Sequence, residues 1–172
     1  VANAVYEGVD AVMLSGETSV GEYPVRCVDQ LVEIAKRAEK YAGLGYEKEL
    51  IPKSDKEHVA IHAVALAESL KAKGIIVITR RGIMADYVTS ARPHSVPIFA
   101  FTNNSATRRR LALNRSVFSF RIAFSNDPEK TLRSSLNLLK RKRQFAPTDK
   151  VVVISDVLAD TPSDAIQIRS VG

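Results

Sequence analysis

Four consecutive residues, Thr79-Arg80-Arg81-Gly82, are of the types that bind phosphate. Thr79 ends a predicted strand, Ile75 to Thr79, and a segment with helical periodicity begins at Met84. In a strand–loop–helix unit, the unpaired N–H groups at the start of the helix attract an anion, and an arginine binds two of its oxygens at once. The pattern therefore predicts a phosphate site between a buried strand and a helix.

A second polar segment, Ser15 to Glu22, follows the short apolar run Ala11 to Leu14, which we interpret as a buried strand. In α/β barrels, catalytic groups lie at the carboxyl ends of the strands. A hydroxyl group in this segment is therefore a candidate catalytic group. The alternative is that Ser15 and Thr18 only cap the helix that follows.

Two further residue types could bind a metal. His58 and His62 are four residues apart, a spacing that can ligate zinc, but no third ligand is evident and we expect both on the surface. Cys27 is the sole cysteine, which excludes an internal disulfide, and we expect it to be a small buried side chain. We predict no metal site in this chain.

The composition is that of an ordinary globular protein, with 172 residues, 45% of them hydrophobic and 26% charged. No apolar run approaches the roughly 20 residues needed to span a membrane, so we expect no membrane partner. A single cysteine fits a reducing cytoplasm. The net charge of +6 arises partly from two basic clusters, Arg108–Arg115 and Lys140–Arg143. We interpret them as solvated helix surfaces, because no aromatic residues alternate with them to stack on bases.

From Ser54 onward, strand and helix patterns alternate. Ser54 and Glu57 have the spacing of a capping box at the start of the first helix. Alternation at this period predicts right-handed crossovers and a parallel sheet with helices on both faces. The connection from Ser155 to the last strand, Ala165 to Val171, is too short for a crossover helix, so that strand should be antiparallel at an edge. The fold class is thus α/β, a three-layer αβα domain with a mostly parallel five-stranded sheet.

The first 43 residues show helix, strand, loop and helix patterns that cannot form a domain alone, because a single strand has no pairing partner. The chain also begins in the middle of a helical pattern, as if cut from a longer protein. We therefore assign residues 1–43 to a remnant of another domain and residues 44–172 to the α/β domain.

A set of motifs in order resembles the C-terminal part of the pyruvate kinase family. The N-terminal ones resemble the end of its catalytic (β/α)8 barrel, and the later ones its C-terminal domain. They are Val1-Ala-Asn-Ala-Val5, Gly8-Val-Asp10, Met13-Leu-Ser-Gly-Glu-Thr18, Gly21-Glu-Tyr-Pro24, Val64-Ala-Leu-Ala67, Arg92-Pro93, Val96-Pro-Ile98, Leu111-Ala-Leu113 and Asn114-Arg-Ser-Val117.

The resemblance implies a parent enzyme of glycolysis that transfers phosphate from phosphoenolpyruvate to ADP, giving pyruvate and ATP, with magnesium and potassium. It implies that residues 1–43 are the end of the barrel, that Thr18 lines the active site near the carbon that is protonated, and that residues 44–172 are a regulatory and oligomerisation domain. A homotetramer is then expected for the parent and a dimer for this chain. Because the magnesium-binding acidic pair and a catalytic Lys belong to earlier barrel strands, we predict that the chain alone is inactive.

The resemblance also assigns Thr79, Arg80, Arg81 and Gly82 to an effector site for a sugar phosphate or a nucleotide. The family pattern has more hydroxyl residues here, since Arg81 and Met84 each replace one. A second effector loop, with Thr161 and Ser163, lacks the usual glycines and contains two aspartates that oppose phosphate binding. The sequence therefore leaves open whether the effector site works, has changed or is lost.

Two alternatives from other functional classes remain. A free-standing nucleotide- or phosphate-binding module is disfavoured because no G-x-G-x-x-G follows the first strand. A nucleic-acid-binding domain would use the two basic clusters and would show steeply salt-dependent binding. We expect no nucleic-acid partner.

Overall fold

The computed structural model describes residues 1–141, 145–155 and 165–172, which belong to two units, Val1–Leu50 and Ile51–Gly172. A 3₁₀ helix spans Tyr46–Glu49. The other described elements, in chain order, are α1 (Ala2–Tyr6), α2 (Gly16–Ser19), α3 (Pro24–Ala38), α4 (Asp55–Ser69), β1 (Gly74–Ile78), α5 (Ile83–Ser90), β2 (Ile98–Thr102), α6 (Ser105–Leu111), β3 (Val117–Arg121), α7 (Pro128–Arg141), β4 (Lys150–Ser155) and β5 (Ala165–Ser170).

The second unit is built on a five-stranded sheet in the order β3-β2-β1-β4-β5. The pairs among β3, β2, β1 and β4 are parallel, and β5 pairs antiparallel with β4 at the edge. Both the mostly parallel sheet and the antiparallel edge strand were predicted and are confirmed. Strand β5 is antiparallel because its connection to β4 is short, and a parallel crossover needs a dozen or more residues.

Helices cover both faces of the sheet, which explains why β1 is continuously apolar. Ile75 and Val77 pack on one face with residues of α4, α5 and α6, and Ile76 and Ile78 pack on the other face with residues of α7. All five β1 residues are buried. A strand that is buried on both sides has no solvent face for polar residues.

The start of α4 follows the predicted capping box in part. The Ser54 hydroxyl accepts a hydrogen bond from the Glu57 N–H at 3.4 Å. The return bond is different, because the Glu57 carboxylate accepts from the N–H of Lys53 and not from that of Ser54. The carboxylate thus fixes the chain one residue before the cap.

Glu68, on the last turn of α4, fixes the segment that leads into β2. Its carboxylate accepts hydrogen bonds from the N–H groups of His94, at 2.7 Å, and Ser95, at 2.9 Å, and from the Ser95 hydroxyl. Partial burial alone would raise the pKa of Glu68, but the Ser95 and His94 hydrogen bonds and the nearby His94 together hold it below its ordinary value. The folded state therefore stabilises the ionised carboxylate.

Replacing Glu68 by glutamine is expected to lower the free energy of unfolding by about 1 kcal/mol at neutral pH, because the bonds to a charged acceptor are lost in a half-exposed site. A lowered folded-state pKa gives stability that is present above the unfolded pKa and lost as pH falls through the folded one. Urea unfolding should show the difference between wild type and variant shrinking below roughly pH 4. Glu33→Gln, at an exposed position of α3, is the control, and an equal loss there would contradict the assignment.

The first unit contains α1 to α3, and here one predicted element is wrong. Residues Ala11–Leu14 form no strand, because the first unit, all of which is described, contains no other strand to pair with their backbone. The segment after them, predicted to be a loop, contains the short helix α2. The long helix α3 begins at Pro24 as predicted, although it ends at Ala38, before the expected stop near Gly43. The assignment of residues 1–43 to a barrel remnant stays a prediction.

Candidate functional site

The Thr79–Gly82 loop lies at the carboxyl end of β1, directly before α5. Thr79 is fully buried, and its N–H donates to the carbonyl oxygen of Phe101 on β2 at 2.9 Å. Its hydroxyl oxygen accepts a hydrogen bond of 3.1 Å from the Gly82 N–H. The Thr79 side chain therefore binds the other end of the loop, and the Thr79 backbone attaches the loop to the sheet.

Gly82 occupies the N-cap position of α5 with φ of 87°, in the left-handed region that glycine tolerates best. A Cβ at this position would lie 2.4 Å from Arg110 Nη2, 3.1 Å from Thr107 Cγ2 and 3.2 Å from Leu111 Cδ2. Helix α6 thus packs directly on the glycine. Both the backbone angle and the close approach require glycine here.

The two carbonyl groups inside the loop are bound by neighbouring elements. The buried hydroxyl of Thr102, at the end of β2, donates to the Arg80 carbonyl oxygen at 3.1 Å. Arg110 of α6 donates from Nη2 to the Arg81 carbonyl oxygen at 3.0 Å. The path of the loop backbone is therefore set by β2 and α6 together.

The side chains of the loop and of the first turn of α5 differ in their exposure to solvent. Arg80 and Arg81 are exposed at the start of α5, where helix N–H groups and two guanidinium groups could hold an anion. Met84, two residues beyond the loop, is fully buried in the core. Among the described residues, the Thr79–Gly82 loop therefore offers an anion its two arginine side chains and its backbone.

Sequence reasoning missed Thr102 and Arg110 as parts of this loop. Thr102 had a signal, because it lies one residue beyond the Ile78–Phe101 pair of the parallel register and so at the same edge as Thr79. Arg110 had none, because the sequence shows only one more arginine in a basic cluster. Its role depends on how α6 is rotated against the loop.

Thr18 lies in α2, half-buried, and its hydroxyl donates to the Ser15 carbonyl oxygen at 3.2 Å. The Ser15 side chain makes no capping bond to α2, so the simple capping role is not what the structure shows for Ser15. The Glu17 carboxylate accepts a hydrogen bond from its own backbone N–H and another, of 2.9 Å, from the Ser15 N–H. The first bond, and to a smaller extent the second, lower the pKa of Glu17.

Cys27 borders a cleft of about 440 Å³ in the first unit. Its side chain is half-buried, whereas the sequence analysis predicted a buried one. The exposed rings of His58 and His62 stack with centroids 6.2 Å apart, and Nδ1 of His62 lies 2.7 Å from the His58 carbonyl oxygen. Across the three described ranges, no three His, Cys, Asp or Glu side chains come close enough to hold a metal ion.

The second predicted effector loop, with Thr161 and Ser163, lies outside the described residues. None of the helices in the described part of the chain has the length and hydrophobicity that a membrane crossing requires.

Comparison with known proteins shows where this architecture occurs. Residues 57–168 match the family model described as "Pyruvate kinase, alpha/beta domain". The chain belongs to the pyruvate kinase family. It is 33% identical over 180 residues to pyruvate kinase isozyme A, chloroplastic, of Ricinus communis, covering 99% of this chain and 30% of that protein. It is 36% identical over 183 residues to pyruvate kinase of Dictyostelium discoideum, covering 100% and 36%.

The pyruvate kinase α/β fold extends to a solved structure. The chain superposes on a crystal structure of a pyruvate kinase from Cryptosporidium parvum with a TM-score of 0.86 and 28% sequence identity, covering 99% of this chain and 35% of that one. The chain thus spans about a third of the length of these pyruvate kinases. These comparisons give no support to the nucleotide-binding module or the nucleic-acid-binding domain.

Proposed function

We propose that the protein containing this chain transfers the phosphoryl group of phosphoenolpyruvate to ADP, giving pyruvate and ATP with magnesium and potassium ions. Membership of the pyruvate kinase family carries this proposal. Magnesium ions neutralise charge on a transferred phosphoryl group. The described residues contain no group of three or more His, Cys, Asp or Glu side chains that could hold a metal ion, so we assign no magnesium site to this part of the protein.

Within this chain, Thr18 is the residue that we propose for catalysis, next to the carbon that receives the proton. The test is a pyruvate-formation assay of the protein carrying this domain together with its catalytic barrel. Thr18→Val should lose activity and Thr18→Ser should retain part of it. No pyruvate from the wild-type protein would contradict the proposed reaction.

The second part of the proposal is a regulatory site for a phosphorylated metabolite at Thr79, Arg80, Arg81 and Gly82. Its support is the position of the loop at the carboxyl end of the central strand β1, where doubly covered parallel sheets bind their ligands. The exposed guanidinium groups of Arg80 and Arg81 can each form two charge-assisted bonds to one phosphate. A sugar phosphate or a nucleotide fits this chemistry.

Isothermal titration of the chain with fructose bisphosphate, ribose 5-phosphate and AMP tests this site. At least one ligand should bind, and the double substitution Arg80→Met and Arg81→Met should weaken it by about a hundredfold, since two charge-assisted contacts are removed. The double substitution Lys140→Met and Arg141→Met, at the end of α7, removes the same charge elsewhere and should have little effect. Three blank titrations of the wild type would contradict the effector site.

We also propose that the α/β domain joins copies of the protein, as a dimer of this chain and a tetramer of the parent. The edge strand β5 offers backbone groups that a second copy could pair with. Light scattering that shows only monomer at high concentration would contradict this. A cytoplasmic location is the accompanying proposal, although five of the plant relatives are named as chloroplastic. Imaging of a fluorescent fusion would test it.

A further inference from the structure

Arg110 stands apart from the other arginines near the Thr79–Gly82 loop, because both ends of its guanidinium group are already bound. Nη1 donates to Asp86 Oδ1 at 3.0 Å and Nη2 donates to the Arg81 carbonyl oxygen at 3.0 Å. We call this pair of contacts the Arg110 bridge. It joins α6 to the loop on one side and to the first turn of α5 on the other.

The anchor of the bridge is itself held in place. Asp86 Oδ1 also accepts a hydrogen bond of 2.8 Å from Asn114 Nδ2, at the end of the turn that follows α6. One carboxylate oxygen thus receives two donors from the same neighbouring region. The Asp86 charge compensates that of Arg110, which leaves Arg80 and Arg81 as the exposed cations of the loop.

We propose that Arg110 is a positioning residue of the effector site, one that orders the backbone of the Thr79–Gly82 loop so that Arg80 and Arg81 present their guanidinium groups to one phosphate. This inference rests on the proposed effector function. An ordered loop loses less entropy when a ligand binds, so the bridge should raise affinity without touching the ligand.

The exposure of the bridge separates this role from a general role in stability. The side chains of Arg110 and Asp86 are 48% and 37% exposed. Ion pairs this exposed contribute little to global stability. The carbonyl that Arg110 binds, in contrast, belongs to the residue directly before Gly82, so losing the bridge should act locally.

Two amide groups report the local and global effects separately in hydrogen exchange of the ligand-free chain. The Gly82 N–H donates to the Thr79 hydroxyl and reports on the loop, whereas the Thr79 N–H donates to Phe101 across the sheet and reports on the domain. In Arg110→Met, we expect exchange at Gly82 to accelerate about tenfold while Thr79 stays unchanged. The control Arg108→Met, an exposed arginine two residues earlier on α6, should leave both unchanged.

Titration with fructose bisphosphate, ribose 5-phosphate and AMP then tests the consequence for binding. Arg110→Met should weaken the phosphate ligand about tenfold and Arg108→Met should not. Asp86→Ala gives the sharpest comparison. If Arg110 bound the phosphate directly, removing the nearby carboxylate would strengthen binding. If Arg110 positions the loop, Asp86→Ala should weaken binding and accelerate exchange at Gly82.

Each outcome decides between the hypotheses. The positioning role would be overturned if Arg110→Met leaves exchange at Gly82 unchanged. It would also be overturned if exchange accelerates equally at Gly82 and Thr79. Faster exchange with unchanged affinity, or tighter binding by Asp86→Ala, would overturn its link to the ligand. If the wild type binds none of the three ligands, the proposed effector function fails, while the exchange data still decide whether the Arg110 bridge orders the loop.

Discussion

Phe101→Ala is expected to lower the free energy of unfolding of the α/β domain by about 3–5 kcal/mol. The Phe101 side chain is fully buried on the sheet face that packs against α7, and its ring stacks on that of Phe120 with centroids 5.2 Å apart. Alanine would leave a cavity that rigid neighbours cannot fill. Since domains of this size are stable by roughly 5–15 kcal/mol, the loss is a large share of the total.

Urea unfolding followed by circular dichroism measures this effect. Phe118→Ala is the matched control, because the Phe118 ring also stacks on a neighbour but is 52% exposed at the sheet edge. The control should lose about 1 kcal/mol. If Phe101→Ala does not fold, Phe101→Leu should still show a loss of roughly 1 kcal/mol. Equal losses at positions 101 and 118 would mean that burial on the α7 face does not stabilise the domain.

Gly82→Ala is expected to destabilise the domain by about 2 kcal/mol and to weaken phosphate binding about tenfold. The alanine residue would have to adopt a φ of 87°. Its Cβ would lie 2.4 Å from Arg110 Nη2 and would displace the guanidinium group. Leu111 Cδ2 would lie 3.2 Å from the new Cβ. Because the Leu111 side chain is fully buried, it cannot easily move away. The substitution therefore strains the loop and breaks the Arg110 bridge at once.

Gly45→Ala separates these two contributions. Gly45 has nearly the same φ, 78°, but a Cβ there would meet only the flexible end of Lys48, at 3.7 Å or more. Its cost is therefore the backbone strain alone, about 1 kcal/mol. Urea unfolding of both variants and titration of Gly82→Ala with the three phosphate ligands provide the comparison. If the two glycine variants lose the same stability, close packing of α6 on the loop contributes nothing.

The structure assigns different roles to arginines that look equivalent in the sequence. Arg108 and Arg110 belong to one basic cluster, which could have indicated a nucleic-acid surface. Arg110 is instead bound to Asp86 and to the loop backbone. A cluster defined by sequence position therefore overstates the positive charge that is available to a partner, because tertiary neighbours neutralise part of it.

The sequence alone determined the α/β class, the order of strands and helices in the second unit, and the position of the Thr79–Gly82 loop between β1 and α5. These features follow from local patterns: apolar runs that must be buried, helix caps such as Ser54, and a connection too short for a crossover before β5. The same local patterns carried the resemblance to the pyruvate kinase family, which the comparisons confirm.

Tertiary structure alone decided what depends on partners far along the chain. Ala11–Leu14 has the composition of a strand but forms none, because strand pairing requires a neighbour that composition does not specify. The carbonyl partners of the Thr79–Gly82 loop, Thr102 and Arg110, lie more than twenty residues away. Their contact is set by the register of β2 and the rotation of α6, and these are properties of packing between elements.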